Sequence, residues 1–142
     1  MISDGFNVEY QLKLPMPVVL SKKSKAMYSL NSHNRTHYRQ YSNIKNKYKE
    51  IYLKKLEEHD KVLLVKASIT YELWLRNKRF IDLDNTIFVK KFLQDTMVEN
   101  GYLIEDNCSV LVKNTEKFGG IDKNSDHTYL LVTIRGTAEN DS

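Results

Sequence analysis

The chain has 142 residues, 41% of them hydrophobic and 28% charged, with a formal net charge of +4. That is enough apolar material for one buried core, and it excludes a disordered, collagen-like or linker-like polymer. One cysteine, Cys108, excludes an internal disulfide. With no run of eighteen apolar residues and no basic-then-apolar leader pattern, a reducing cytoplasm is the expected setting.

Phe6, Val8, Tyr10, Leu12 and Leu14 alternate with polar residues, the period of a half-buried strand, and Pro15 and Pro17 end it. From 18 to 41 the character changes. Lys22, Lys23, Lys25, His33, Arg35, His37 and Arg39 are interleaved with Tyr28, Asn31, Asn34, Tyr38 and Tyr41, and no acid interrupts them. Such a segment reads either as a solvated connection or as an arm that grips a phosphate backbone, with cations neutralising phosphates and Asn, His and Tyr supplying hydrogen bonds.

Ile44, Tyr48, Ile51, Tyr52 and Leu56 recur at helical steps, which predicts an amphipathic helix over 43–58 with Ser42 as its N-cap. Its lysines, Lys45, Lys47, Lys49, Lys54 and Lys55, read first as a solvated face. Between Leu63 and Leu75 every odd position is apolar, the clearest strand in the chain. Arg76, Lys78 and Arg79 follow it. Ile87, Phe88, Phe92, Leu93, Met97 and Val98 predict a second helix over 85–100, capped by Asp84 or Asn85 and closed by Gly101. Cys108–Val112 and Thr128–Ile134 read as strands, and 114–126, with Gly119 and Gly120, as a loop between them. The expected fold is one α+β domain over 1–142, a mixed β-sheet with two main helices in the order strand-helix-strand-helix-strand-strand.

The chemistry concentrates between Lys78 and Asn107. Asp82 and Asp84 are two apart, Asn85 follows, and Glu105 and Asp106 come just past Gly101. In an extended segment residues two apart face the same side, so Asp82 and Asp84 converge. Strand 108–112, if parallel to strand 63–75, would place Asp106 at the N-terminal edge of the sheet, which by itself does not bring it to Asp82. Clustered carboxylates repel unless neutralised, and Mg²⁺ or Mn²⁺ prefers such oxygens. A metal held there can activate water against a phosphodiester. Lys91 leans back toward the helix start, where it could stabilise a phosphate oxygen, or it could simply pair with Asp95 four residues on. The plain reading of D-x-D-N is an N-cap and turn.

Taken together, the residues resemble the RusA family of Holliday-junction resolvases. The resemblance rests on D-x-D-N at Asp82, Asp84 and Asn85, on Lys91 and Asp95 in the following helix, and on a closing G-x-x-x-E-D at Gly101, Glu105 and Asp106. A looser upstream match runs through L-P-M-P, S-L-N and R-x-H-Y-R. It implies metal ligands at Asp82, Asp84 and Asp106, a catalytic lysine at Lys91, and Mg²⁺, replaceable by Mn²⁺, as cofactor. It further implies a homodimer that resolves four-way DNA junctions by paired symmetric nicks in recombination and repair, and a phage or bacterial setting. Two positions depart from the pattern: Glu105 stands where the family has Asp, and Phe88 stands at the nearer lysine position, which leaves Lys90 as a rival to Lys91. DNA contacts are expected from Lys22, Lys23, Lys25, Asn31, His33, Arg35, His37, Arg39, Arg76, Lys78 and Arg79. The alternative is a non-catalytic nucleic-acid-binding module that works through 22–39.

Overall fold

The strongest alternation in the sequence becomes the spine of the structure. The computed structural model describes residues 6–20, 25–27, 38–81 and 83–138, with residues 19, 20, 25–27 and 84 described by backbone alone. In chain order the elements are β1 (Val8–Pro15), β2 (Val18–Leu20), β3 (Lys25–Met27), α1 (Tyr38–Leu56), β4 (Leu64–Leu75), a 3-10 turn (Leu83–Thr86), α2 (Ile87–Glu99), β5 (Leu111–Ile121) and β6 (Tyr129–Ala138). The main sheet runs β1-β6-β4-β5, and β2 and β3 form a separate two-stranded ribbon. β6 is antiparallel to both β1 and β4, whereas β5 is parallel to β4, so the sheet is mixed. The α+β class and element order match the sequence reading.

Both helices cover one face of the sheet. Ala67, Ile69, Tyr71, Leu73 and Leu75 of β4 and Leu130, Val132 and Ile134 of β6 are buried on that side. Against them pack Tyr48, Tyr52 and Leu56 of α1 and Phe88, Val89, Phe92, Leu93 and Met97 of α2. The odd-position phase of β4 holds from Ala67 onward. A ladder irregularity between Leu64 and Lys66 shifts it upstream, so Leu64 rather than Leu63 or Val65 enters the core.

Five local expectations are corrected. The first helix begins at Tyr38, not 43, so Ser42 lies inside it and caps nothing. Part of the 18–41 connection is the β2-β3 ribbon. The second helix is capped at Thr86, whose hydroxyl makes no cap bond and donates instead to the Leu83 carbonyl at 2.8 Å. The 114–126 loop is largely strand, since β5 runs to Ile121. It does so because parallel pairing with β4 satisfies its backbone, while its position at the sheet edge leaves most of its side chains exposed. The strand starts at 111 rather than 108 because Asn107 holds a turn: its carbonyl accepts from the Val110 and Leu111 amides, and its side chain accepts from Ser109. Gly101, at φ +80°, ends α2 as expected.

Truncating Phe92, which is fully buried between helix and sheet, to alanine should cost about 3–5 kcal/mol. Tyr52→Phe should cost only about 1 kcal/mol, the value of its hydroxyl donating to the Pro15 carbonyl at 2.7 Å. Urea denaturation of both variants checks the order. Asp122 adds a pH signature. Chiefly the Tyr129 hydroxyl, at 2.7 Å, holds its carboxyl below the ordinary 3.8. Its stabilising contribution is therefore present above that ordinary value and lost as pH falls through the lower folded one. Thermal melts of Asp122→Asn should show a shallower loss of stability on the acid side than the parent chain.

Candidate active site

The β4-α2-β5 crossover decides what can meet. α2 starts near the end of β4, runs back along the sheet, and hands the chain to 104–110 before β5 sets off parallel to β4. Two tethers fix the return: the Leu64 amide donates to the Tyr102 carbonyl, and the Ile104 amide donates to the Leu64 carbonyl, both near 3 Å. Asp106 then lies in the exposed segment just ahead of β5, as the parallel pairing requires.

That segment folds against α2. Asp106 and the helix residues Ile87, Lys90, Lys91, Gln94 and Asp95 line one cleft of about 280 Å³. Residues 87, 91, 94 and 95 recur at helical steps, so they form a continuous stripe. At one end of the stripe is Ile87, 47% exposed although its neighbours Phe88 and Val89 are buried. Immediately before it comes the 3-10 turn whose backbone carries Asp84 and Asn85. This turn replaces the extended geometry on which the convergence of Asp82 and Asp84 was argued. Asp82 itself lies outside the described residues.

The charges around the cleft sort themselves by partner. Lys90 donates to Glu116 of β5 at 2.6 Å. Asp95 faces Lys45 of α1 at 3.4 Å, so the Lys91–Asp95 pair, the plain alternative for Lys91, is not the one formed. Burial first, and then the Asp95 carboxylate, pushes the nearby Tyr41 phenol up. Lys91 and Asp106, both exposed, make no ion pair among the described residues. Glu105 accepts from the Asn107 side-chain amide at 3.1 Å and does not line the cleft. Among the described residues no three His, Cys, Asp or Glu side chains form a metal-binding group, a set that includes neither Asp82 nor the side chain of Asp84.

Of the expected DNA contacts, Arg76, Lys78 and Arg79 stand on the exposed stretch between β4 and the 3-10 turn. Arg76 is partly committed, donating to the Asp126 carbonyl at 3.2 Å. Arg39 is exposed in the first turn of α1, and Lys25 falls in β3. Lys22, Lys23, Asn31, His33, Arg35 and His37 lie outside the described residues. The sequence reading did not single out Gln94, whose amide donates to the Tyr71 hydroxyl at 2.9 Å, or Lys45 as the partner of Asp95. Gln94 was visible as Lys91 plus three; Lys45 needed the packing of α1 on α2.

No family model matches the chain, and no curated protein matches it. No described helix is long and apolar enough to cross a membrane.

Because Lys90 is held by Glu116, the two lysines should separate on mutation. Lys90→Ala should lower stability by up to about 1 kcal/mol, as expected of a partly exposed ion pair. Lys91→Ala should leave the denaturation midpoint unchanged.

Proposed function

We propose that this chain is a divalent-metal-dependent endonuclease that cuts branched DNA, of the RusA junction-resolvase kind. The observation that carries the reading is the shared cleft. Lys91 and Asp106, fifteen residues apart in sequence, line one surface of α2, and the first residue of that helix follows directly on the turn bearing Asp84 and Asn85. Motif residues from both sides of a long crossover thus lead to one stretch of helix.

The donor chemistry fits a hard cation. Asp106 presents an exposed carboxylate with no described partner, and the sequence adds Asp82 and Asp84 as further oxygen donors. Asp82, Asp84 and Asp106 would hold Mg²⁺, or Mn²⁺ in its place. When bound, the ion supplies an activated water and offsets charge developing on the phosphodiester. Lys91 is the cation in this cleft left free to meet a phosphate oxygen, since Lys90 is occupied by Glu116. Arg76, Lys78 and Arg79, upstream of the acids, would grip the flanking backbone, and the basic 22–39 segment would extend that grip. A homodimer would present two such sites to a two-fold junction, one for each nick.

The test is a labelled four-way junction incubated with the protein in Mg²⁺. Paired symmetric nicks support the proposal. Asp84→Asn should bind the junction as the parent does and yield no product, because the change removes charge and preserves shape. Lys91→Ala should cut about 10²–10³-fold more slowly, while Lys90→Ala should cut near the parental rate. Salt-sensitive binding with no metal-dependent product would leave the non-catalytic binding module instead.

A further inference from the structure

The face of the sheet turned away from α1 and α2 carries a pattern of its own. Ladder registers place its side chains in rows across the four strands. One row reads Glu9, Arg135, Ser68, Lys113; the next, Gln11, Thr133, Thr70, Thr115; the third, Lys13, Leu131, Glu72, Lys117. Tyr129 and Trp74 close that end, with Gly120 beside Trp74. Lys66, two residues before Ser68, points to the same side. No described helix covers this face.

Its charge is lopsided. Five cations, Lys13, Lys66, Lys113, Lys117 and Arg135, face three acids: Glu9, Glu72 and, at the Tyr129 end, Asp122. All three are engaged, Glu9 with Arg135 at 3.1 Å, Glu72 with Lys117 at 3.3 Å and Asp122 with the Tyr129 hydroxyl at 2.7 Å. Lys13 lies over the Tyr129 ring at 4.2 Å. Lys66 and Lys113 are exposed and make no ion pair among the described residues. They flank Ser68, and the row of threonine hydroxyls lies next to them. Cations beside hydroxyl donors, with no acid left unpaired, are the chemistry of a phosphate-backbone contact.

We propose that this open sheet face is a second DNA-docking surface, which holds a duplex arm by its phosphates through Lys66, Lys113 and the hydroxyls of Ser68, Thr70, Thr115 and Thr133. It rests on the endonuclease reading for the identity of the polyanion. β5 links the two surfaces, because Asp106 lies in the segment leading into it and Lys113 is its third residue. A branched substrate with one arm at the cleft can therefore lay another around the β5 edge.

Trp74, the single tryptophan of the chain, stands on this face and reports binding there directly. Titrating duplex DNA in EDTA should change its emission saturably. The double variant Lys66→Ala, Lys113→Ala should lose roughly tenfold to a hundredfold in affinity at low salt. Its log-affinity against log-salt slope should be shallower by about two, one for each lost phosphate contact. Emission that stays constant at saturating DNA, or a double variant with parental affinity and slope, overturns the proposal. The readout is binding without metal, so a chain that never cuts a junction sinks the nuclease reading and leaves this test standing.

Discussion

The parallel pairing of β5 with β4 is the constraint on which the rest depends. Parallel neighbours cannot be joined by a hairpin, so the chain must cross the sheet and return, and α2 is that crossing. The residues of the acid motif and its lysines sit on the crossing or at its two ends. The basic stretch and Asp84 precede it, Lys90, Lys91 and Asp95 ride on it, and Asp106 follows it. Had β5 paired antiparallel, Asp106 would have no reason to return along the helix.

The crossing is held by forces that act mostly elsewhere. The Phe92, Leu93 and Met97 side of α2 is fully buried on the sheet, and that burial fixes which stripe is left outside. Ion pairs of Lys45 with Asp95 and Lys49 with Glu99 join α1 to α2, while Lys90 with Glu116 joins α2 to β5. Each exposed pair contributes little to stability. Their consequence is selective: by occupying their acids and lysines they leave Lys91 and Asp106 as the unengaged charges of the cleft.

Much of this was legible in the residues, and the exceptions have physical causes. The β4 alternation announced itself because one face is buried and the other wet. Gly101 announced the end of α2 because a positive φ favours glycine. The second half of β5 did not read as a strand. As an edge strand with exposed residues on both faces it has no alternation to show, and only its ladder with β4 makes it extended. The early start of α1 was hidden for a similar reason, since its first turn is exposed and polar. The acid motif marked the stretch of chain that borders the cleft. It could not reveal that Lys90 would be claimed by Glu116, or that Asp95 would turn to Lys45, because both partners arrive through tertiary packing.

The account turns on whether carboxylates from the two ends of the crossing share an ion. Crystals soaked in Mn²⁺ and measured for anomalous scattering address this directly. The account predicts one strong peak at the cleft within about 2.2 Å of oxygens from both Asp84 and Asp106, lost in Asp106→Asn. A peak bound by Asp84 with Asp106 remote from it, or no peak at the cleft at saturating Mn²⁺, would contradict it.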